Sequence, residues 1–530
     1  MKSSTIKRLC VVLATTLAAT GADAVHLSTN GTGQVLIFPY YTVRNGYATL
    51  VSVTNTQNNT KAIKVRFLEG MNGREVSNFN LFLAPNDTWT GAVVETANGA
   101  RIITNDNSCV TPSDFFTEAR KVQGGQSTNE FFNFTFRQDA PAFTSLDRTR
   151  EGYFEIVEMG VIDATLSPTA AQLTGYVKPD VFTNPSSNCA ALDSFDSFAS
   201  PSALIRFPNI GAALIAPPRG GLKGRASLIN AATGANYSFS PTALDAWSSQ
   251  VAYAGSGTST GTRLSDAAPA TSMVTTPAGV VTARWATGRD AVSAALMRES
   301  LMNEFVLDVA TASQTDWIVT APTKPFYVDP IYGNSNITVN APFTGFLLSD
   351  GTAATCDGYV GSATNREAQT GPARLVGLRP PAPGGTAGLP MLCRAANLMA
   401  FLGSAPQGAF PGVITFSSVL GSPTLTPLGY YDFYEIVVVS SSTPSSLTTP
   451  TLRGTQGRTG RATLLFNQVP QQQLTPLSAT LISPAGTQTS IPGVHYGLPV
   501  IGLMLHNYQN TNVASRYGGV VEHAYSVRVE

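Results

Sequence analysis

The sequence predicts an all-β protein of two immunoglobulin-like β-sandwich halves, with long loops and one short helix between them. Three observations carry this. Short apolar runs alternate with period two and are divided by Asn, Gly and Pro turns. A single run has helical spacing. A stretch poor in large apolar residues divides the chain. The expected organisation is a signal peptide at 1–24, an N-terminal β-sandwich domain at 25–250, a Gly/Ser/Thr/Pro-rich linker or loop at 251–289, and a C-terminal β-sandwich domain at 290–530.

The strands follow in order. Residues 34–43 form a β-rich run whose Pro39 points to an edge or a bulge. Residues 47–55 alternate, and 55–61 are an Asn/Thr turn. In 62–69, Ile63, Val65 and Phe67 face one side and Lys64, Arg66 and Leu68 the other, the pattern of a half-buried strand. Asn72-Gly73 signals a turn, and Phe79, Leu81 and Leu83 then repeat with period two. A turn at 85–87 leads to a strand at 88–95. Five such strands in succession suit an immunoglobulin-like sandwich. Further candidates lie at 152–161 and 221–230. Asp290 caps the helix, from 291 to about 302 with Val292, Leu296 and Glu299 at helical spacing. Strands are expected at 304–309, 317–320 and 326–328, and a Pro/Gly-rich loop at 371–390. An internal echo links Gly152-Tyr153-Phe154-Glu155-Ile156-Val157 to the run Tyr431 to Val437. Each precedes a Gly-Arg-Ala strand, at 224–226 and 460–462, which hints at related halves.

The opening residues read as an export signal. Lys2, Lys7 and Arg8 precede an apolar stretch at 9–19, and Ala22-Asp23-Ala24 supplies the small residues a signal peptidase needs, placing the mature start at Val25. That stretch is too short and Thr-rich to span a bilayer. The expectation is an exported chain, at the cell surface or extracellular with the periplasm open, and no transmembrane segment in its mature part. The 33 basic and 33 acidic residues cancel, and charged residues make up 12%, about half the usual share. Such a surface does not concentrate phosphates, so neither nucleic acid nor an anionic membrane is expected as a partner. A hydrophobic content of 43% excludes global disorder.

Removing the signal removes Cys10 and leaves Cys109, Cys189, Cys356 and Cys393. An even number in an exported chain favours disulfides in one of three connectivities. Pairing of neighbours, Cys109 with Cys189 and Cys356 with Cys393, keeps each bridge within one half.

Motifs for chemistry are weak. Gly257-Thr258-Ser259-Thr260-Gly261 fits the hydrolase nucleophile pattern, but no apolar strand precedes it and no helix directly follows. Of the four histidines, His26, His495, His506 and His523, the last three fall near the end of the chain, yet their spacings match neither one helix face nor one strand face, and structural roles near a sheet edge are expected for them. Asn105-Asp106-Asn107 and Asn86-Asp87 read as turns rather than calcium ligands. Glu155 and Glu435 invite comparison with a glycosidase pair, but both lie on strands whose alternate face is expected to be solvated. Trp89, Trp247, Trp285 and Trp317 suit core packing better than a sugar platform. No catalytic, metal-binding or cofactor-binding residue is assigned.

Several segments together resemble a family of proteobacterial secreted proteins labelled cell surface proteins. They are Ile37-Phe38-Pro39-Tyr40-Tyr41, Lys64-Val65-Arg66-Phe67-Leu68-Glu69-Gly70, Asn80-Leu81-Phe82-Leu83-Ala84-Pro85, Asp290-Ala291-Val292-Ser293-Ala294, Asn303-Glu304-Phe305-Val306, the run Thr315 to Lys324, and the run Tyr496 to Gly502. The resemblance implies an exported bacterial protein and brings no catalytic residue, substrate or cofactor. The expected function is that of a non-enzymatic surface or extracellular protein of structural or adhesion type, acting through self-association or contacts with other surface proteins or glycans. The alternatives are a secreted hydrolase of polysaccharide or ester bonds and a carbohydrate-binding protein.

Overall fold

A computed structural model describes residues 24–116, 129–137, 139, 141, 144–177, 189–198, 214–256, 261–306, 311–332, 341–345, 355–365, 370–372, 374–375, 391–402, 419–420, 434–437, 459–482, 488–491, 493–509 and 516–530. The expected signal peptide up to residue 23, residues 257–260 of the Gly-x-Ser-x-Gly match, and most of the 371–390 loop lie outside the described residues.

The described chain is mostly β, in largely antiparallel sheets that pack as sandwiches; Ala396–Leu402 and Tyr434–Val437 pair in parallel. The first sheet has eight strands. Its path runs His26–Leu27, Thr242–Asp245, Val35–Thr42, Glu151–Ile162, Thr60–Glu69, Glu75–Leu83 and Cys109–Thr111, with Ile215–Ala216 beside Glu151–Ile162. The second has six, along Ala235–Phe239, Leu222–Asn230, Ala48–Asn55, Thr88–Glu95 and Ala100–Ile103, with Thr32–Gly33 against Leu222–Asn230. Period-two side chains of both sheets meet between them. Phe38, Val65, Phe67 and Phe154 of the first share a core with Val51, Val53, Trp89 and Leu228 of the second. Phe154 is sandwiched at the centre, its ring centroid 4.2 Å from that of Phe38 and 4.9 Å from that of Phe67.

Residues beyond 290 build a second sandwich. A six-stranded sheet runs Arg374–Leu375, Tyr434–Val437, Ala396–Leu402, Gln314–Thr320, Ile501–Gln509 and Arg516–Glu522. A five-stranded sheet runs Thr370–Pro372, Val360–Asn365, Thr459–Leu465, Ser300–Val306 and Ala524–Ser526. Trp317, Val319, Met399, Phe401 and Met504 pack between them against Leu301, Phe305, Ala462 and Leu464. The opposite face of the six-stranded sheet is also apolar: Ile318, Leu398, Leu503 and Leu505 join the core of the first sandwich. Backbone bonds reinforce that contact, from Ala395 N to Met71 O (3.0 Å) and from Ala396 N to Gly70 O (2.9 Å). Thr320 Oγ1 also donates to Pro39 O at 2.6 Å.

Three expectations need correction. Residues 251–289 are not simply a linker, because Thr271–Thr276 and Gly279–Arg284 form a hairpin in a four-stranded sheet with Ser478–Ile482 and Gln488–Ile491. Only one side of that hairpin is covered, by way of Val274, Val281 and Ala283, so its apolar content stays low. The helix spans Gly288–Leu296, with Thr287 as N-cap and Asp290 in the first turn. It stops early because Met297–Arg298 pairs with Leu498–Pro499. The described residues hold three more short helices, Pro168–Val177, Cys189–Phe198 and Pro325–Val328, the last where a strand was expected.

Candidate functional site

The Thr60–Glu69 and Glu151–Ile162 strands form adjacent, directly paired ribbons of the large sheet, buried on both faces along their whole length. Alternation therefore does not mean solvent here. Lys64, Arg66 and Glu155, expected on a solvated face, are at most 2% exposed. They are covered because residues 253–256, Leu264 and the Cys189–Phe198 helix lie across that side. Burying charge requires pairing, and register supplies it. Glu155 stands directly opposite Arg66, whose guanidinium binds both Glu155 and Glu75, the latter at 2.7 Å. Lys61 donates to Glu158 at 2.7 Å, and Glu158 also accepts from Arg219 N and Gly220 N. Burial pushes the Glu158 carboxyl up and the Lys61 ammonium down, each opposed by the other's charge.

A second cluster ties the two sandwiches together. Arg74 binds Asp329 (Nε to Oδ2, 2.8 Å) and Asp139, and Arg148 binds Asp139 (2.6 Å) and Glu69 (3.0 Å). Burial works against the Glu69 charge, but Arg148 and the Asn72 and Arg74 N–H groups hold its carboxyl below the usual range.

The Lys64 ammonium stands outside these pairs. Lys64 is 1% exposed, and its Nζ has no hydrogen-bond partner. Burial lowers its pKa to about 8, against the pull of Glu75. Across the sheet its row reads Val157, Lys64, Asn80, Thr111. Asn80 Oδ1 and Thr111 Oγ1 in that row are likewise buried without a partner. The Asn80 amide nitrogen donates to Asp196 Oδ1 at 2.8 Å and to Ala254 O at 3.0 Å. Asp196 accepts further bonds from Tyr253 OH and from the Ser256 N–H and hydroxyl. The Cys109–Cys189 disulfide sets this arrangement. Cys109 lies opposite Phe82, two residues from Asn80, and Cys189 begins the helix that carries Asp196. A second disulfide joins Cys356 and Cys393. The two bridges mark a chain that folds in an oxidising, exported environment.

The histidines occupy separate settings. His495 packs edge-on against Trp285, and neither ring nitrogen has a hydrogen-bond partner. His523 lies against Trp317, with Nδ1 3.0 Å from Asn303 Nδ2 and Nε2 3.1 Å from Ile318 O. Burial lowers the pKa of both to about 4, and the Ile318 carbonyl opposes it at His523. His506 packs against Tyr508, and His26 Nδ1 lies 2.8 Å from Ala24 O. Among the described residues none of the three C-terminal histidines has a carboxylate or hydroxyl hydrogen-bond partner. All four tryptophans are buried. Glu435 sits on the Tyr434–Val437 strand of the second sandwich, in a different sheet from Glu155. Asp106 and Asp87 accept backbone N–H bonds from Ser108 and Thr88, as turn residues do.

Among the described residues, hollows that open to solvent include a groove and a cleft. A groove of about 480 Å³ crosses the outer face of the six-stranded N-terminal sheet, with Leu50, Ser52, Thr90, Ile103, Arg225 and Ser227 in its walls. A cleft of about 390 Å³ is lined by Asn98, Glu130, Asn133, Phe134, Arg137 and Leu146. Phe134 is half exposed and stacks on Phe132 at 4.1 Å. No helix among the described residues is long and apolar enough to cross a membrane. No family model, curated protein or solved structure matches the chain.

Proposed function

We propose that this is an exported, non-enzymatic surface or extracellular protein of structural or adhesion type, working through contacts of its sandwich faces with copies of itself or with other surface proteins and glycans. The groove on the outer face of the N-terminal sheet carries the reading. Its walls are hydroxyls and amides with two exposed aliphatic side chains, Leu50 and Ile103, and a single charge, Arg225. Thr54–Thr88 and Ser227–Ser238 pairs extend the same hydroxyl surface across neighbouring strands. That chemistry suits area contact, an apolar centre within a polar rim, and offers no acid, base or nucleophile pair for bond cleavage. Several charges that would otherwise mark the surface are paired in the interior, in keeping with a weakly charged exterior.

The test is size-exclusion chromatography and electron microscopy of the purified mature protein, with binding to whole-cell surface material. Self-association or adhesion weakened by Leu50→Asp and Ile103→Asp supports the reading. A strictly monomeric protein that binds no surface material overturns it. The cleft favours a second reading, carbohydrate binding, because an exposed phenyl face beside Arg137 and two amides matches the apolar and polar sides of a sugar ring. A glycan array with the parent and Phe134→Ala decides it: binding lost in the variant supports a lectin-like role, and an array without hits removes it.

A further inference from the structure

We propose that Lys64 and Asn80 become joined by an intramolecular isopeptide bond, Lys64 Nζ displacing the Asn80 amide nitrogen as ammonia with Asp196 carrying the proton. The two residues are direct cross-strand neighbours, so their Cβ atoms lie about 4.5–5.5 Å apart on one face of the sheet. The four-carbon Lys side chain spans that gap to the Asn carboxamide carbon without moving the backbone.

The site has what amide exchange needs. An amine attacks only as the neutral base, and burial brings Lys64 to about pKa 8, which leaves part of it unprotonated at neutral pH. It has no hydrogen-bond partner to occupy its lone pair or hold it away. The carboxamide opposite is fixed rather than free, its nitrogen held by Asp196 and by the Ala254 carbonyl. Its oxygen has no partner. Fixed neighbours of this kind react with effective concentrations far above those of free groups.

The atoms balance without a co-reactant. The Lys64 Nζ–Asn80 Cγ bond forms as the neutral amine attacks. Asp196, already in contact with the amide nitrogen at 2.8 Å, accepts the proton shed by the attacking amine and returns it to the departing nitrogen. The Asn80 Cγ–Nδ2 bond breaks, ammonia leaves, and Asp196 ends as it began. The product is an amide between adjacent strands, and it removes a buried ammonium that has no hydrogen-bond partner. Neither Arg66 nor Lys61 takes this course, since each is saturated by carboxylates.

Intact mass spectrometry of the purified, reduced and denatured mature protein tests the proposal. The expected mass is that of the sequence, corrected for the signal peptide, less one ammonia. Proteolysis should yield a branched peptide joining the segments around Lys64 and Asn80, with no cleavage by trypsin after Lys64. Lys64→Arg and Asn80→Ala should each restore the unmodified mass, and Asp196→Asn should slow or abolish the loss. A parent protein at full sequence mass with a linear Lys64 peptide overturns the proposal, whether or not the variants fold. A lost ammonia that maps to another residue overturns it equally. Unchanged bond formation in Asp196→Asn overturns the role given to that carboxylate.

Discussion

Replacing His495 by leucine should flatten the acid side of the stability profile. The imidazole is fully buried, packs against Trp285 with ring centroids 5.1 Å apart, and has no hydrogen-bond partner on either nitrogen. Burial draws its pKa down to about 4, while in the unfolded chain it returns to about 6.5. Between those values the unfolded chain holds a proton that the folded chain refuses, so stability falls as pH drops through that window. A gap of about 2.5 units amounts to about 3 kcal/mol at pH 4 and below. Leucine has no such window. At neutral pH it also removes two unsatisfied nitrogens, worth roughly 1–3 kcal/mol, and forfeits an aromatic contact worth about 1 kcal/mol. The variant should therefore lie within about 2 kcal/mol of the parent near pH 7 and gain on it steadily toward pH 4. Urea denaturation followed by tryptophan fluorescence across that range measures the difference. His523, with its pKa lowered to the same value, contributes equally to both proteins and cancels. Midpoints of parent and variant that fall in parallel would refute the reasoning. With four histidines in the chain, ring-labelled NMR offers a direct check: the His495 and His523 signals should not move until about pH 4.

Asp329→Ala should destabilise the protein by about 3 kcal/mol, since it strips a buried carboxylate from Arg74 and leaves Asp139 as its one ion-pair partner among the described residues. Denaturant titration measures this, and the double variant Arg74→Met/Asp329→Leu should recover most of the loss. Gly152→Ala should lower the yield of folded protein severely, because a Cβ there falls inside the van der Waals radius of Leu68 O in the centre of the sheet; expression and circular dichroism report it. Serine at both Cys109 and Cys189 opens a loop of 80 residues, worth about 4 kcal/mol on the chain-entropy model. It should also speed proteolysis around residues 189–198.

Much of the first sandwich was legible because its strands keep period two where one face is apolar. Ile63, Val65 and Phe67 do point into the core between the sheets. The other face was misread for a physical reason. A charged residue at every second position looks the same whether its neighbour is water or an opposite charge on the next strand, and only register reveals that Glu155 faces Arg66. The Cys189–Phe198 helix was missed because its Ser and Asp residues are poor helix formers; tethering to Cys109 and packing of Leu192 into a buried cluster compensate. The hairpin at 271–284 was hidden by small residues, since Thr and Ala suffice on a face that meets a helix. The Lys64–Asn80–Asp196 cluster left no local signal, because its members come from three elements separated by 116 residues between Asn80 and Asp196.

The apolar face shared by the two sandwiches bears on how the chain is made. Phe38 and Val65 belong to the same core as Leu503 and Leu505, so the first strands of the chain complete their burial only when strands far along it have docked. Until then the side of the first sandwich that receives Ile318, Leu398 and Leu503 is open and greasy, a surface on which nascent chains adhere to one another. Chains truncated before residue 501 should therefore accumulate as aggregates instead of as a soluble first half, and pelleting assays of such truncations measure it.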